Sequence, residues 1–448
     1  MNLKITSTVL FVISILLITS SKAFAQEGAP MNPTDSLGME IHKINDDVQV
    51  LKRMKITGWI QAQYQHAESN NVFGFAGGNP AGVNYQDRFF IRRGRVKFTY
   101  DNEFSQYVMQ IDANERNVTV RDFYAKFTDT WINAFSITMG LQNRPFSYEI
   151  QQSSSVRETP ERSRFIQTLL PNERDLGAML TVQLPKSSPL HFLKLDAGLF
   201  NGTGIFYEYD TKKDLCARLS GSHTTTNEKT SISYALSFYN GSVKQQTKNV
   251  YNEMATDSTG AKFLKLNNDS LANFGKFAKR QYIGADFQIT RDFPFGIMSL
   301  RGEYIMGVQP GSAGNSNSPG FSTPTPGVTG TAGVPSGPTG DIYIRKVNGA
   351  YFYFVQNILR TPLQLVIKYD WYDPNINLAG NEIGKSKTTT AADIKYTTTG
   401  VGLNYRWNAH VKLMAYYDMV KNETSANLKG FESDIKDNIL TFRVQYRF

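Results

Sequence analysis

The final stretch of the chain, ILTFRVQYRF, alternates without a break. Leu440, Phe442, Val444, Tyr446 and Phe448 fall on one face, and Thr441, Arg443, Gln445 and Arg447 on the other. A period of two held this long marks a strand with a different solvent on each side. The pattern recurs. Val96, Phe98 and Tyr100 oppose Arg95, Lys97 and Thr99, and Ile137, Met139 and Leu141 oppose Ser136, Thr138 and Gln142. Val401, Leu403 and Tyr405 oppose Gly402, Asn404 and Arg406. Sixteen such segments can be placed, starting near residues 55, 88, 103, 119, 134, 174, 191, 213, 231, 279, 296, 346, 362, 395, 410 and 437. Connections after even-numbered strands are short. Those after odd-numbered strands are mostly long, near 66–87, 143–173, 241–278, 308–345 and 373–394.

A soluble sandwich gives no reason for that long-short alternation, whereas a barrel in an outer membrane does. Mean hydropathy is −0.36 and aromatic content 12%. Both suit a barrel, because only every second strand residue meets lipid. The fold expected is all-β: a transmembrane antiparallel β-barrel of about 16 strands, with a short N-terminal periplasmic helix, in the bacterial cell outer membrane. The Gly/Pro/Ser/Thr-rich stretch 309–340 fits one long external loop, since alternation resumes on both sides.

The N-terminus has its own signals. Lys4 precedes an apolar run from Val9 to Ile18, and Ala23-Phe24-Ala25 closes it as a small-x-small cleavage pattern. Residues 1–25 therefore read as a secretory signal peptide, the competing reading being an uncleaved anchor helix. Cys216 is the lone cysteine, which excludes an intramolecular disulfide. In 26–54, Leu37, Ile41, Ile44, Val48 and Leu51 follow a heptad seam. Two readings stand there, a short coiled coil and a single amphipathic helix packed under the barrel. The barrel itself is assigned to 55–448.

A barrel of sixteen strands is wide enough for water. Its inward positions then describe the permeant. Alternation places thirteen cations inside: Arg93, Arg95, Lys97, Lys126, Lys194, Arg218, Arg280, Arg301, Lys368, Arg406, Lys412, Arg443 and Arg447. It places seven acids there: Asp112, Asp122, Asp196, Asp286, Glu303, Asp370 and Asp418. The whole chain carries +9. A cationic lumen concentrates anions. The alternative is a weakly selective water-filled pore whose charges are merely solvated.

The third external loop is dense in charge. From Asn143 to the next strand it carries Arg144, Arg157, Arg162, Arg164 and Arg174 against Glu149, Glu158, Glu161 and Glu173, and no Lys. Charges that nearly cancel suit a loop folded inward and pinned to the wall by ion pairs, with some arginines left facing the permeant. The expected anion pathway is Arg93, Arg95, Lys97, Lys126, Arg144, Arg157, Arg162, Arg164, Arg174, Arg218, Arg301 and Arg443.

FFIRRGRVKF, GLQNRPFSYEIQQSSSVRETPERS and LPNERDLGAML, followed by LFNGTG, together resemble the phosphate-selective porin O/P family. The C-terminal Phe448 also resembles the terminal strand of outer-membrane barrels. The resemblance implies a trimeric porin constricted by its third loop, passing phosphate or similar anions. It covers Arg92, Arg93, Arg95, Arg144, Glu161, Arg162, Arg174 and Asp175. The missing lysines in the third loop depart from the family pattern.

The expected partners are outer-membrane lipid, small anionic solutes and two further copies of the chain, with no nucleic acid and no cofactor. A hydrolase is disfavoured, because His42, His66, His191, His223 and His410 lack Ser and acid at triad spacing. A plug-gated receptor would need a large N-terminal domain. A structural or adhesin barrel with a closed lumen remains the alternative that conductance separates.

Overall fold

The computed structural model describes residues 43, 45, 48, 49, 51–70, 72, 73, 86–171, 173–318 and 337–448. The chain divides into residues 1–53 and 54–448. In the first unit the described residues Lys43, Asn45, Val48, Gln49 and Leu51 to Arg53 are helical, and Val48 and Leu51 of the expected seam are exposed. The signal peptide and the seam positions Leu37, Ile41 and Ile44 lie outside the described residues.

The second unit is one antiparallel barrel. Its strands are β1 (Met54–Ala67), β2 (Asp87–Asn102), β3 (Ser105–Ala113), β4 (Val118–Thr128), β5 (Phe135–Asn143), β6 (Arg174–Gln183), β7 (Leu193–Phe200), β8 (Asp214–Thr224) and β9 (Thr230–Lys244). A hairpin of β10 (Asn249–Thr256) and β11 (Lys262–Asn268) follows. Then come β12 (Phe277–Phe293), β13 (Gly296–Gly311), β14 (Ile342–Asn357), β15 (Leu363–Asp373), β16 (Tyr396–Arg406), β17 (Val411–Asn422) and β18 (Ile439–Arg447). β9 pairs directly with β12, and β1 pairs with both β2 and β18, so sixteen strands close on themselves. All sixteen begin within four residues of the starts expected from alternation, the largest gap being 342 against 346.

Closure leaves no open edge, the condition for a sheet in hydrocarbon. Its seam runs from Trp59 opposite Arg447 to Ala67 opposite Ile439. At the end of that seam Gly58 and Phe448 exchange backbone bonds of 3.1 and 3.0 Å. A Cβ on Gly58 would stand 2.5 Å from the Phe448 ring, so only glycine leaves room for the terminal aromatic. Outward positions such as Phe98, Tyr107, Met109, Phe123, Ile137, Met139, Leu180 and Leu195 are exposed and apolar, as a lipid-facing surface requires.

The hairpin β10–β11 was not expected from the sequence. It rises from the connection between β9 and β12 and pairs in parallel with the end of β14, where Tyr251 and Tyr343 stack at 4.2 Å. Lys262 at the start of β11 bonds Glu382 at 2.9 Å and the carbonyl of Asn377 at 3.1 Å, tying the hairpin to the loop after β15.

Two irregularities shape the lumen. Gln61 faces Arg93 while the next residue, Ala62, faces Ile91, so Arg92 is an inserted residue on β2. Gln110 faces Asp122 while Ile111 faces Val120, so Arg121 is inserted on β4. A β-bulge re-aims a side chain that strict alternation would send to lipid. Here both re-aimed residues are arginines.

Candidate functional site

The connection between β5 and β6 does not stand outside the barrel. It folds into the lumen, carrying two short helices, α1 (Tyr148–Gln151) and α2 (Arg164–Leu169). Its Phe146, Ile150, Phe165, Ile166, Leu169 and Leu170 are buried in one cluster with wall residues of β7 to β9, β12 to β15 and β17, among them Tyr239, Tyr282, Tyr351, Tyr353 and Tyr416. One side of the lumen is thus lined by tyrosine and aliphatic groups, and the loop's apolar face is matched to it. Gly349 makes the approach possible: a Cβ there would lie 2.6 Å from the Cβ of Phe165.

Along β1 and β16 to β18 the loop is held differently. Wall side chains donate to its backbone carbonyls one after another: Gln61 to Ser154 at 3.0 Å, Gln445 to Ser155 at 2.8 Å, Lys412 to Arg157 at 2.8 Å, Asn404 to Glu158 at 3.0 Å and Arg443 to Pro160 at 3.0 Å. A loop buried in a lumen must satisfy its backbone somewhere, and these amides and cations do so. On the tyrosine side the carboxylate of Glu149 accepts from the Ser163 amide at 2.9 Å and from Tyr353 Oη at 2.7 Å.

Two loop carboxylates fasten the rest. Glu161 accepts from Arg92 at 2.7 and 2.8 Å, from Arg93 at 2.9 Å and from Arg443 at 3.3 Å. Glu173 accepts from Arg121 at 3.3 Å, from Arg174 at 2.6 Å and from Arg162. Each carboxylate therefore meets three arginines, and each set includes one bulge arginine. The first set carries three positive charges against one negative. In the second, Arg174 also bonds Asp122 at 2.8 Å, and Arg95 beside it bonds Asp112 at 2.9 Å. The second group thus balances Arg95, Arg121, Arg162 and Arg174 against Asp112, Asp122 and Glu173, leaving one positive charge in excess.

The expected pathway residues separate into three groups. Arg95, Lys97, Lys126, Arg162 and Arg174 come together around a cavity of about 510 Å³, joined by Lys194 and Arg447 and by one carboxylate, Asp122. Among the described residues no carboxylate lies within ion-pair distance of Lys97, Lys126 or Arg447. Arg93, Arg144, Arg218, Arg301 and Arg443 are engaged elsewhere. Arg218 holds Asp286 at 2.6 and 3.0 Å, Arg301 holds Glu158 at 2.9 and 2.8 Å, and Arg144 lies over the Tyr239 ring at 5.6 Å with Asp175 at 3.8 Å.

Arg164 is a strut. Its guanidinium is stacked between Phe73 at 4.2 Å and Tyr396 at 3.8 Å, with Asp437 at 3.8 Å, so it joins the third loop to the first and last loops. Arg157 is 2% exposed, and none of its three guanidinium nitrogens has a hydrogen-bond partner among the described residues. Sequence reasoning missed the bulge arginines as wall contacts, Arg92 and Arg121, because it assumed unbroken alternation. It also did not use the inward tyrosines, although Tyr351 and Tyr353 two apart in β14 signal a lumenal aromatic row.

A closed sixteen-stranded barrel with an apolar exterior and a charged lumen crossed by an inward loop is a porin-type channel fold of the bacterial outer membrane. No protein-family model and no curated protein matches the chain. Among solved structures, the outer-membrane channel DcaP of Acinetobacter baumannii aligns at 13% identity over 88% of this chain and 97% of its own, with a TM-score of 0.49. An anion-selective porin from Comamonas acidovorans aligns at 9% identity over 88% and 99%, with a TM-score of 0.49. Salmonella typhi OmpF aligns at 10% identity over 88% and 97%, with a TM-score of 0.48.

Proposed function

We propose that the protein is a diffusion channel with a narrow, anion-preferring constriction formed by the third loop, passing phosphate or similar small anions. The observation that carries this reading is the unbalanced cation set along the lumen. Lys97, Lys126 and Arg447 face the cavity without carboxylates, and the Glu161 cluster keeps two positive charges in excess. Fixed positive charge in a confined space raises the local anion concentration and excludes cations. The resemblance of the Arg-Pro-Phe-Ser, Glu-Arg-Ser and Arg-Asp blocks to the phosphate-selective porin O/P family agrees with this reading. In the same proposal residues 1–25 are an export signal, outer-membrane lipid covers the outer face, and the chain works as a homotrimer.

The test is planar-bilayer recording of the purified protein in a KCl gradient, followed by phosphate addition. A reversal potential on the chloride side supports the reading, and one on the potassium side refutes it. The loop's contacts with β1, β2, β4, β9 and β12 to β18 also favour a second reading, a barrel that the loop closes; absence of any conductance would select it.

A further inference from the structure

The charge of the lumen differs on the two sides of the third loop. The 510 Å³ cavity is bounded by Thr57, Lys194 and Arg447, which lie at strand ends beside the short connections, so it is the periplasmic compartment. Seven cations and one carboxylate line it. Four of those cations have a carboxylate partner: Arg95 with Asp112, Arg162 with Glu173, Arg174 with Asp122, and Lys194 with Asp196. Seven less four leaves an excess of three positive charges. The other side has a cavity of about 40 Å³, reached by Phe73 of the first long loop. Its lining has three cations, and by the same count each has a carboxylate partner: Arg162 with Glu173, Arg164 with Asp437 at 3.8 Å, and Lys368 with Asp370 at 2.8 Å. That compartment has no excess.

We propose that this asymmetry makes the channel a rectifier, conducting better when anions are driven outward from the periplasmic compartment than when they are driven inward. The inference rests on the channel reading above. The two sides of the loop carry current with different transport numbers. In the cationic compartment nearly all current is carried by anions, and on the external side anions and cations share it. With anions driven outward, more anions reach the boundary at the third loop than leave it by their share of the external current. Cations arriving from outside cannot proceed either. Both accumulate there, and conductance rises. With the voltage reversed both are withdrawn, and conductance falls. The effect requires that the fixed charge fill the compartment. The screening length is about 10 Å at 0.1 M salt and about 3 Å at 1 M. A cavity of about 510 Å³ is comparable in width to the first length and wider than the second.

The experiment uses single channels of the full chain in symmetric KCl at equal and opposite voltages. In about 0.1 M salt the two conductances should differ by about twofold, and in about 1 M the ratio should approach one. Orientation is read from a biotin placed at Lys429→Cys in the last external loop and capped with streptavidin from one chamber; the native Cys216 is buried and does not compete. Replacing Lys97, Lys126 and Arg447 by Gln should bring the low-salt ratio to one. Replacing the exposed external lysines Lys387 and Lys436 by Gln should leave it unchanged. Because the salt dependence is read on the wild type, a triple variant that fails to fold does not remove the test. A linear, chloride-selective channel at low salt overturns the rectifier and leaves the channel reading standing. Rectification of the opposite sign also overturns it, and absence of any channel overturns both.

Discussion

Glu161→Gln is the perturbation that most directly tests how the third loop is held. Glu161 lies between Arg92, Arg93 and Arg443, with its side chain 13% exposed. The variant keeps one acceptor oxygen but removes the negative charge, leaving three neighbouring guanidinium groups without compensation. Removing one partner of a buried ion pair costs about 3–5 kcal/mol, and the retained acceptor puts this case near about 3 kcal/mol. At about 1.4 kcal/mol per decade, the population with the loop detached rises by about two decades. Two readouts follow. Trypsin should cut at Arg157, Arg162 and Arg164 far faster than in the wild type, since these sites are buried while the loop is docked. Single channels should be noisier, and those that stay docked more anion-selective, because the local excess rises from two charges to three. Glu158→Gln is the internal comparison: Glu158 pairs with Arg301 alone among the described residues, so both effects should be smaller. Equal tryptic protection and an unchanged chloride-to-potassium ratio in Glu161→Gln would refute the three-arginine account of loop docking.

Arg162→Ala should lower anion preference in the same recordings, because Arg162 lines both cavities; Arg164→Ala should leave selectivity unchanged and loosen the loop instead, because its guanidinium is sandwiched between Phe73 and Tyr396. Asp129 sits in the turn after β4 and accepts from the amides of Trp131 to Phe135; the bond from Phe135 is the leading cause that holds its carboxyl down at about 2, below the ordinary 3.8. A depressed carboxyl stabilises the turn above 3.8 and loses that contribution as pH falls toward about 2, so amide exchange in 131–135 should accelerate across that window and the acceleration should vanish in Asp129→Asn. Phe165→Ala should detach α2 from Gly349 and Tyr351 at a cost of about 3 kcal/mol or more, read as faster trypsin cleavage with the barrel's heat resistance retained. If the chain forms the proposed trimer through the seam, deleting 34–52 should lower that trimer's heat resistance in detergent while monomeric barrels stay folded, and an unchanged melting curve would favour the packed-helix reading of the seam.

The barrel was legible because two solvents impose period two wherever a strand crosses the membrane, as from Leu440 to Phe448. The hairpin β10–β11 meets no lipid, so nothing enforces alternation in Asn249–Asn268, and it read as loop. Arg92 and Arg121 were hidden for another reason. A one-residue bulge leaves the flanking pattern intact while reversing the inserted side chain. In the third loop the charges were legible but their partners were not. Arg162 and Arg164 stand beside Glu158 and Glu161 in the sequence, but Arg162 meets Glu173 and Arg164 lies by Asp437. In the folded chain Glu158 meets Arg301, 143 positions away, and Glu161 meets Arg443, 282 positions away. The wall arginines project from paired strands whose backbone is already fixed, so less conformational entropy remains to be lost when they bind a carboxylate. An irregular loop offers its own arginines no such framework. The near-neutrality of the loop therefore says little about the field at the constriction. What matters is that its acids are outnumbered by the arginines already converging on them, so that docking the loop reduces the positive charge of the lumen without cancelling it.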